Sequence, residues 1–136
     1  MNYCPVMLTK NSLVLKKTIR SLAIGWTFLI LILCLVRFGD LPEVKVEGGD
    51  KYVHFTFHLV FTLLWSYSKY VQQRQISVRD VMKIVLCSLL YGIVIEFLQE
   101  AFTVTRHADV FDVLANLAGA FTAFFVVVGM QRLKKD

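Results

Sequence analysis

Cysteine is scarce in this chain, and the three present, Cys4, Cys34 and Cys87, show no metal-ligand spacing. Two of them lie inside apolar runs, so packing rather than chemistry is their expected role. Charge is scarce as well: 18% of the 136 residues are charged, against 57% hydrophobic and a mean hydropathy of +0.61. Such a composition is too apolar for a soluble domain and points to an integral membrane protein. No small-x-small cleavage motif follows the first apolar run in LCLVRFGDLPEV, and Leu33 stands before Cys34 where a lipoprotein site needs a small residue. That run is therefore read as a retained helix. Internal repeats and low-complexity segments are also missing.

What the chain does have is apolar length. Four windows, about residues 21–36, 52–67, 81–98 and 112–130, approach the roughly 20 residues that a helix needs to cross the hydrocarbon. The predicted architecture is all-α, an integral membrane bundle of four transmembrane helices over residues 21–130. A basic segment, residues 1–20, precedes it and a basic tail, residues 131–136, follows. The net charge of +5 sorts by membrane side. Lys10, Lys16, Lys17 and Arg20, then Lys69, Arg74, Arg79 and Lys83, then Arg132, Lys134 and Lys135 fall on one side, and only Arg37, Lys45, Lys51 and Arg106 on the other. By the positive-inside rule both termini and the middle loop are cytoplasmic, and nucleic acid is not an expected partner. Most of the acids lie in or beside the two outer loops, Asp40, Glu43, Glu47, Asp50, Glu96, Glu100, Asp109 and Asp112 among them.

Local signals mark the connections. Pro42 and Gly48-Gly49 make turns in the longer outer loop. Ser77 is placed to cap the third helix with Asp80 three residues on, and Asp109 to cap the fourth, with Asp112 in its first turn, where the helix dipole favours negative charge.

The polar residues inside the apolar windows share faces. At about 100° per residue, Asp109, Asp112, Asn116, Gly119 and Ala123 fall within roughly 80° of arc on the fourth helix. Ser88, Gly92, Glu96, Gln99 and Thr103 do so on the third, and Lys51, His54, His58 and Thr62 on the second. A capping role alone does not extend to Asn116, nearly two turns in. Lys51 and His54 open their helix, Glu96 and Gln99 close theirs, and Asp109, Asp112 and Asn116 open the fourth, so all lie near the outer leaflet. Charged groups at membrane depth face the bundle interior and find partners. In the structural reading Lys51 or Arg106 neutralises Glu96 and Asp112, while Gln99 and Asn116 hydrogen-bond between helices. In the functional reading Lys51, His54, Glu96, Gln99, Arg106, Asp109, Asp112 and Asn116 form a ligand site. His54 and His58 stand at a metal-compatible spacing, but hydrogen-bonded or packed histidines are expected, His107 is expected in solvent, and neither metal nor cofactor is assigned. Gly119-x-x-x-Ala123 is a small-xxx-small match expected to serve internal packing, and a homodimer is compatible with so slim a core.

At these residues the sequence resembles the VanZ-like family of small bacterial membrane proteins. The matching features are Asp50-Lys51 with His54-Phe55, Glu96 with Gln99, and Arg106, Asp109, Asp112, Asn116 and Gly119 in RHADVFDVLANLAGA, over about residues 50–125. The family takes its name from a protein associated with resistance to the antibiotic teicoplanin. The resemblance implies a multi-pass protein of the bacterial cytoplasmic membrane in a cell-envelope setting, without specifying a reaction.

Three functions are weighed. In the first, the cluster holds the polar head of a membrane lipid or lipid-linked cell-wall precursor. Lys51 and Arg106 then contact phosphate, and Glu96, Asp112, Gln99 and Asn116 orient those cations or accept sugar and amide donors. In the second, the chain is an intramembrane enzyme with Glu96 or Asp112 as base and His54 as acid or metal ligand. No nucleophile supports it: Ser66, Ser68 and Ser88 lack an elbow or partner spacing, and the Arg, Ser-Gly-His and His-Asp segments of lipid phosphatases are missing. In the third, Glu96, Lys51 and His54 begin a proton path, against which the polar faces are expected to thin toward the cytoplasmic half.

Overall fold

The computed structural model describes residues 10–35, 48–102 and 109–133. Those residues form four helices, α1 (Lys10–Leu35), α2 (Gly49–Gln73), α3 (Val78–Phe102) and α4 (Val110–Leu133), with no strand among them. The fold class is all-helical, as the apolar windows predict. Arg106, His107, Cys4, Pro42 and Thr103 lie outside the described residues.

The local signals explain where the helices start and stop. Gly48 adopts φ 78°, a left-handed conformation that glycine takes at little cost, and turns the chain into α2. Ser77 and Asp80 close a capping box: Asp80 N donates to Ser77 Oγ at 3.1 Å and Ser77 N donates to Asp80 Oδ2 at 3.2 Å. At the start of α4, Phe111 N donates to Asp109 Oδ1 at 2.8 Å, so Asp109 is its cap. The described α1 helix runs from Lys10, upstream of the apolar window at residues 21–36. Its basic first turns are held by α2, since Lys16 Nζ donates to Gln72 O at 3.2 Å and Arg74 to Ser12 Oγ at 3.5 Å.

Three helices are long and apolar enough to cross a membrane: Ser12–Leu35 within α1, all of α3 and all of α4. The α2 helix is not among them, because His54, His58, Thr62, Ser66 and Ser68 dilute its apolar character. Those five side chains are buried, and α2 packs against each of the other three helices, most extensively against α4. The polar helix is therefore the central one.

Glycine makes the closest approach possible. At Gly119 of α4 a Cβ would meet the backbone oxygen of Phe55 in α2, so the two helices touch backbone to backbone there. The apolar core is small: Ile30, Cys34, Phe61 and Ile95 are buried, flanked by Trp26, Phe57, Trp65 and Tyr91. Polar bonds fix α1 to this core, with Trp26 Nε1 donating to Phe57 O at 3.1 Å and Tyr91 OH to Thr27 O at 2.5 Å. Cys34 packs as expected, whereas Cys87 is exposed on α3.

The two ends of the bundle differ in charge. Lys69 Nζ lies 3.6 Å from Asp80 where α2 meets α3, and Lys16, Arg74 and Arg79 belong to that end. The acids Asp50, Glu96, Asp109 and Asp112 belong to the other.

Candidate functional site

At the acidic end α2, α3 and α4 bring six of the eight sequence-derived candidates together. The first turn of α2 supplies Lys51, whose Nζ lies 3.2 Å from Asp109 Oδ2 and 3.7 Å from Asp112 Oδ1, and 5.7 Å from the centroid of the Phe111 ring. One turn deeper, His54 Nδ1 lies 3.1 Å from Asn116 Oδ1 and 3.7 Å from Glu96 Oε1. Both neighbours are oxygen acceptors, so the proton of the neutral ring belongs on Nδ1. Asp109 N donates to Glu96 Oε2 at 3.3 Å, which joins the end of α3 to the start of α4. The expected neutralisation of Asp112 by Lys51 is present; among the described residues Glu96 faces a histidine and a backbone N–H, and its expected pairing with Arg106 lies outside them.

The remaining candidates separate. Gln99 Nε2 donates to the backbone oxygen of Cys34 at 3.0 Å, so its amide nitrogen is directed to α1. Arg106 lies outside the described residues. His58 does not join His54 in a two-histidine metal pair: its Nδ1 lies 2.7 Å from Ser88 Oγ, with both residues buried.

Burial divides the cluster into an outer and an inner layer. The Lys51 and Asp109 side chains are 44% and 40% exposed, whereas His54, Glu96, Asp112 and Asn116 are buried. The Phe111 N–H, with help from the Lys51 ammonium and against some desolvation, holds the Asp109 carboxyl below the usual carboxylate value. In the inner layer, Glu96 Oε1, Asp112 Oδ1 and Asn116 Nδ2 have no hydrogen-bond partner among the described residues. Unpaired buried polar atoms each cost on the order of 1–3 kcal/mol.

Two pairings were not anticipated from sequence. Asp50 offers a carboxylate oxygen that lies, with one donor atom each from His54 and Asp112, in a group whose members are all within 4.8 Å of one another. Its position four residues before His54, on the same face of α2, was the available signal. The second is Ser88, which finds His58 as a partner across the bundle. The expected thinning of polar character describes α4 but not α2, where Thr62, Ser66 and Ser68 continue the buried stripe.

A recess of about 130 Å³ opens beside the cluster, with Ile93, Phe97, Val110 and Val113 as walls and Glu96 and Asp109 at its polar edge. A larger cavity, about 250 Å³, lies at the basic end between α2 and α4, lined by Leu63, Tyr67, Val127 and Met130 among others. It is remote from the acidic cluster.

The family profile described as VanZ/LLP1 matches residues 4–131, nearly the whole chain. An uncharacterized protein of Schizosaccharomyces pombe is 28% identical over 110 residues, which cover 79% of this chain and 65% of that one. The chain thus spans less than two-thirds of that relative's length. No solved structure matches.

Proposed function

The chain belongs to the VanZ/LLP1 family, and from that premise we propose that it binds the polar head of a membrane lipid in the outer leaflet of a bacterial inner membrane. The ligand class is a phosphate-bearing or lipid-linked envelope precursor. What carries the reading is the convergence of Lys51, His54, Glu96, Asp109, Asp112 and Asn116 from three helices at the end opposite the basic residues. The basic end is the cytoplasmic one by the positive-inside rule, which leaves the cluster on the outer side. The α2 helix serves as the fourth span: at about 1.5 Å per residue its 25 residues reach about 37 Å, and its neighbours cover its polar stripe.

The recess between α3 and α4 suits an amphiphile. Its apolar walls accept aliphatic chain, and its Glu96 and Asp109 edge meets hydroxyl or amide donors. Lys51 is the described cation nearest to hand for a phosphate oxygen.

A photoactivatable polyprenyl phosphate or phospholipid tests this in native membranes. Lys51→Ala and Glu96→Gln are expected to lower capture by about tenfold or more, the size of one lost charge-assisted hydrogen bond. Capture equal to the parent in both variants would end the proposal.

A second reading, an intramembrane enzyme, draws support from the approach of the His54 ring to Glu96. Ser88 and His58 do not add to it, since both are buried and each is the other's hydrogen-bond partner.

A further inference from the structure

We propose that Asp50, His54 and Asp112 bind one divalent cation of borderline hardness, Mn²⁺ or Zn²⁺, at the mouth of the cluster. One donor atom from each of the three lies within 4.8 Å of the other two. Donors sit about 2.0–2.2 Å from such an ion, so two on opposite sides of it are at most about 4.4 Å apart. Binding an ion there requires side-chain rotations that bring the three donors closer together. Asp50 and His54 come from one face of α2 and Asp112 from the first turn of α4, which are the two helices in closest contact.

A second observation comes from outside the trio. Glu96 is 4% exposed, and among the described residues its Oε1 has no hydrogen-bond partner while lying 3.7 Å from His54 Nδ1. With the ring proton on Nδ1, Nε2 is the ligand atom of His54, and a carboxylate facing the Nδ1–H is the arrangement that orients a metal-ligating histidine and raises its basicity. An imidazole with carboxylate oxygens suits Mn²⁺ or Zn²⁺ better than Mg²⁺, which favours oxygen alone. Asp50 is exposed and gives the ion a route from the aqueous side.

The inference deepens the headgroup reading, on which its functional meaning rests. A bound cation places further positive charge beside Lys51 for a phosphate oxygen to meet.

The test uses the full chain in detergent, stripped with chelator, then titrated with Mn²⁺ by electron paramagnetic resonance and with Zn²⁺ by elemental analysis after desalting. The parent should take up a stoichiometric ion. Asp112→Asn and the exposed Asp50→Asn should each weaken binding by about tenfold or more, and Lys51→Met, which removes a competing cation, should strengthen it. Absence of stoichiometric uptake in the parent overturns the proposal. So does parental affinity in a helical, monodisperse Asp50→Asn or Asp112→Asn protein, or weaker binding in Lys51→Met. Lipid capture on the same samples separates the two readings: lost metal with intact Lys51-dependent capture removes the cation alone, whereas intact metal with no such capture removes the headgroup alone.

Discussion

Gly119→Leu should prevent the bundle from assembling, and Gly119→Ala should destabilise it at the upper end of the about 1–3 kcal/mol that overpacking typically costs. A Cβ at this position would meet Phe55 O, with Leu59 N and Phe55 C each 3.0 Å away. All three are backbone atoms of α2, so none can rotate aside as a side chain would, and the helices must separate along their longest shared seam. Thermal melting of the detergent-solubilised protein, followed by circular dichroism, reads the effect. Gly25→Ala and Gly129→Ala are the controls, because a Cβ there meets nothing within 4 Å. If Gly119→Ala melted with those controls, the contact between α2 and α4 would be looser than described here.

Asn116→Leu should fail twice, in stability and in ligand capture. Asn116 is fully buried, its Oδ1 faces His54 Nδ1 at 3.1 Å, and Gly92 leaves room for its amide: a Cβ at Gly92 would lie 2.6 Å from Asn116 Nδ2. Leucine there leaves the ring N–H of His54 without its nearest acceptor, a loss of about 1–3 kcal/mol. It also frees the ring from the orientation that points it at Glu96, so lipid capture should fall as far as in Lys51→Ala. A lower melting temperature with parental capture would place Asn116 in the scaffold and outside the site.

Much of this site was legible because helical geometry leaves a trace in sequence. Lys51, His54, Glu96, Asp112 and Asn116 sit on polar stripes whose spacing and depth predicted one meeting point, and Ser77 with Asp80 announced the start of α3. The same reasoning was weakest where hydropathy stands in for helicity. The described α1 helix runs from Lys10, upstream of its apolar window, and there Lys16 bonds to Gln72 of α2 and Arg74 to Ser12, contacts that no apolar window reveals. The α2 helix falls short of a membrane span by composition for the reason that makes it central, since its stripe from His54 to Ser68 is turned inward. Pairing across helices was not legible. Gln99 finds the Cys34 carbonyl and Ser88 finds His58, and each choice depends on relative helix rotation and height that one sequence does not encode by spacing alone.

Zero-length crosslinking with a water-soluble carbodiimide, applied from outside to intact cells, tests the meeting point and its sidedness together. Lys51 Nζ lies 3.2 Å from Asp109 Oδ2, and both side chains are exposed enough for the reagent to reach them. The expected product is an isopeptide bond between Lys51 and Asp109 or Asp112, found by mass spectrometry of the digested protein and missing in Lys51→Arg. A Lys51 that stays unlinked to α4, or that reacts only after the cells are opened, would contradict the account.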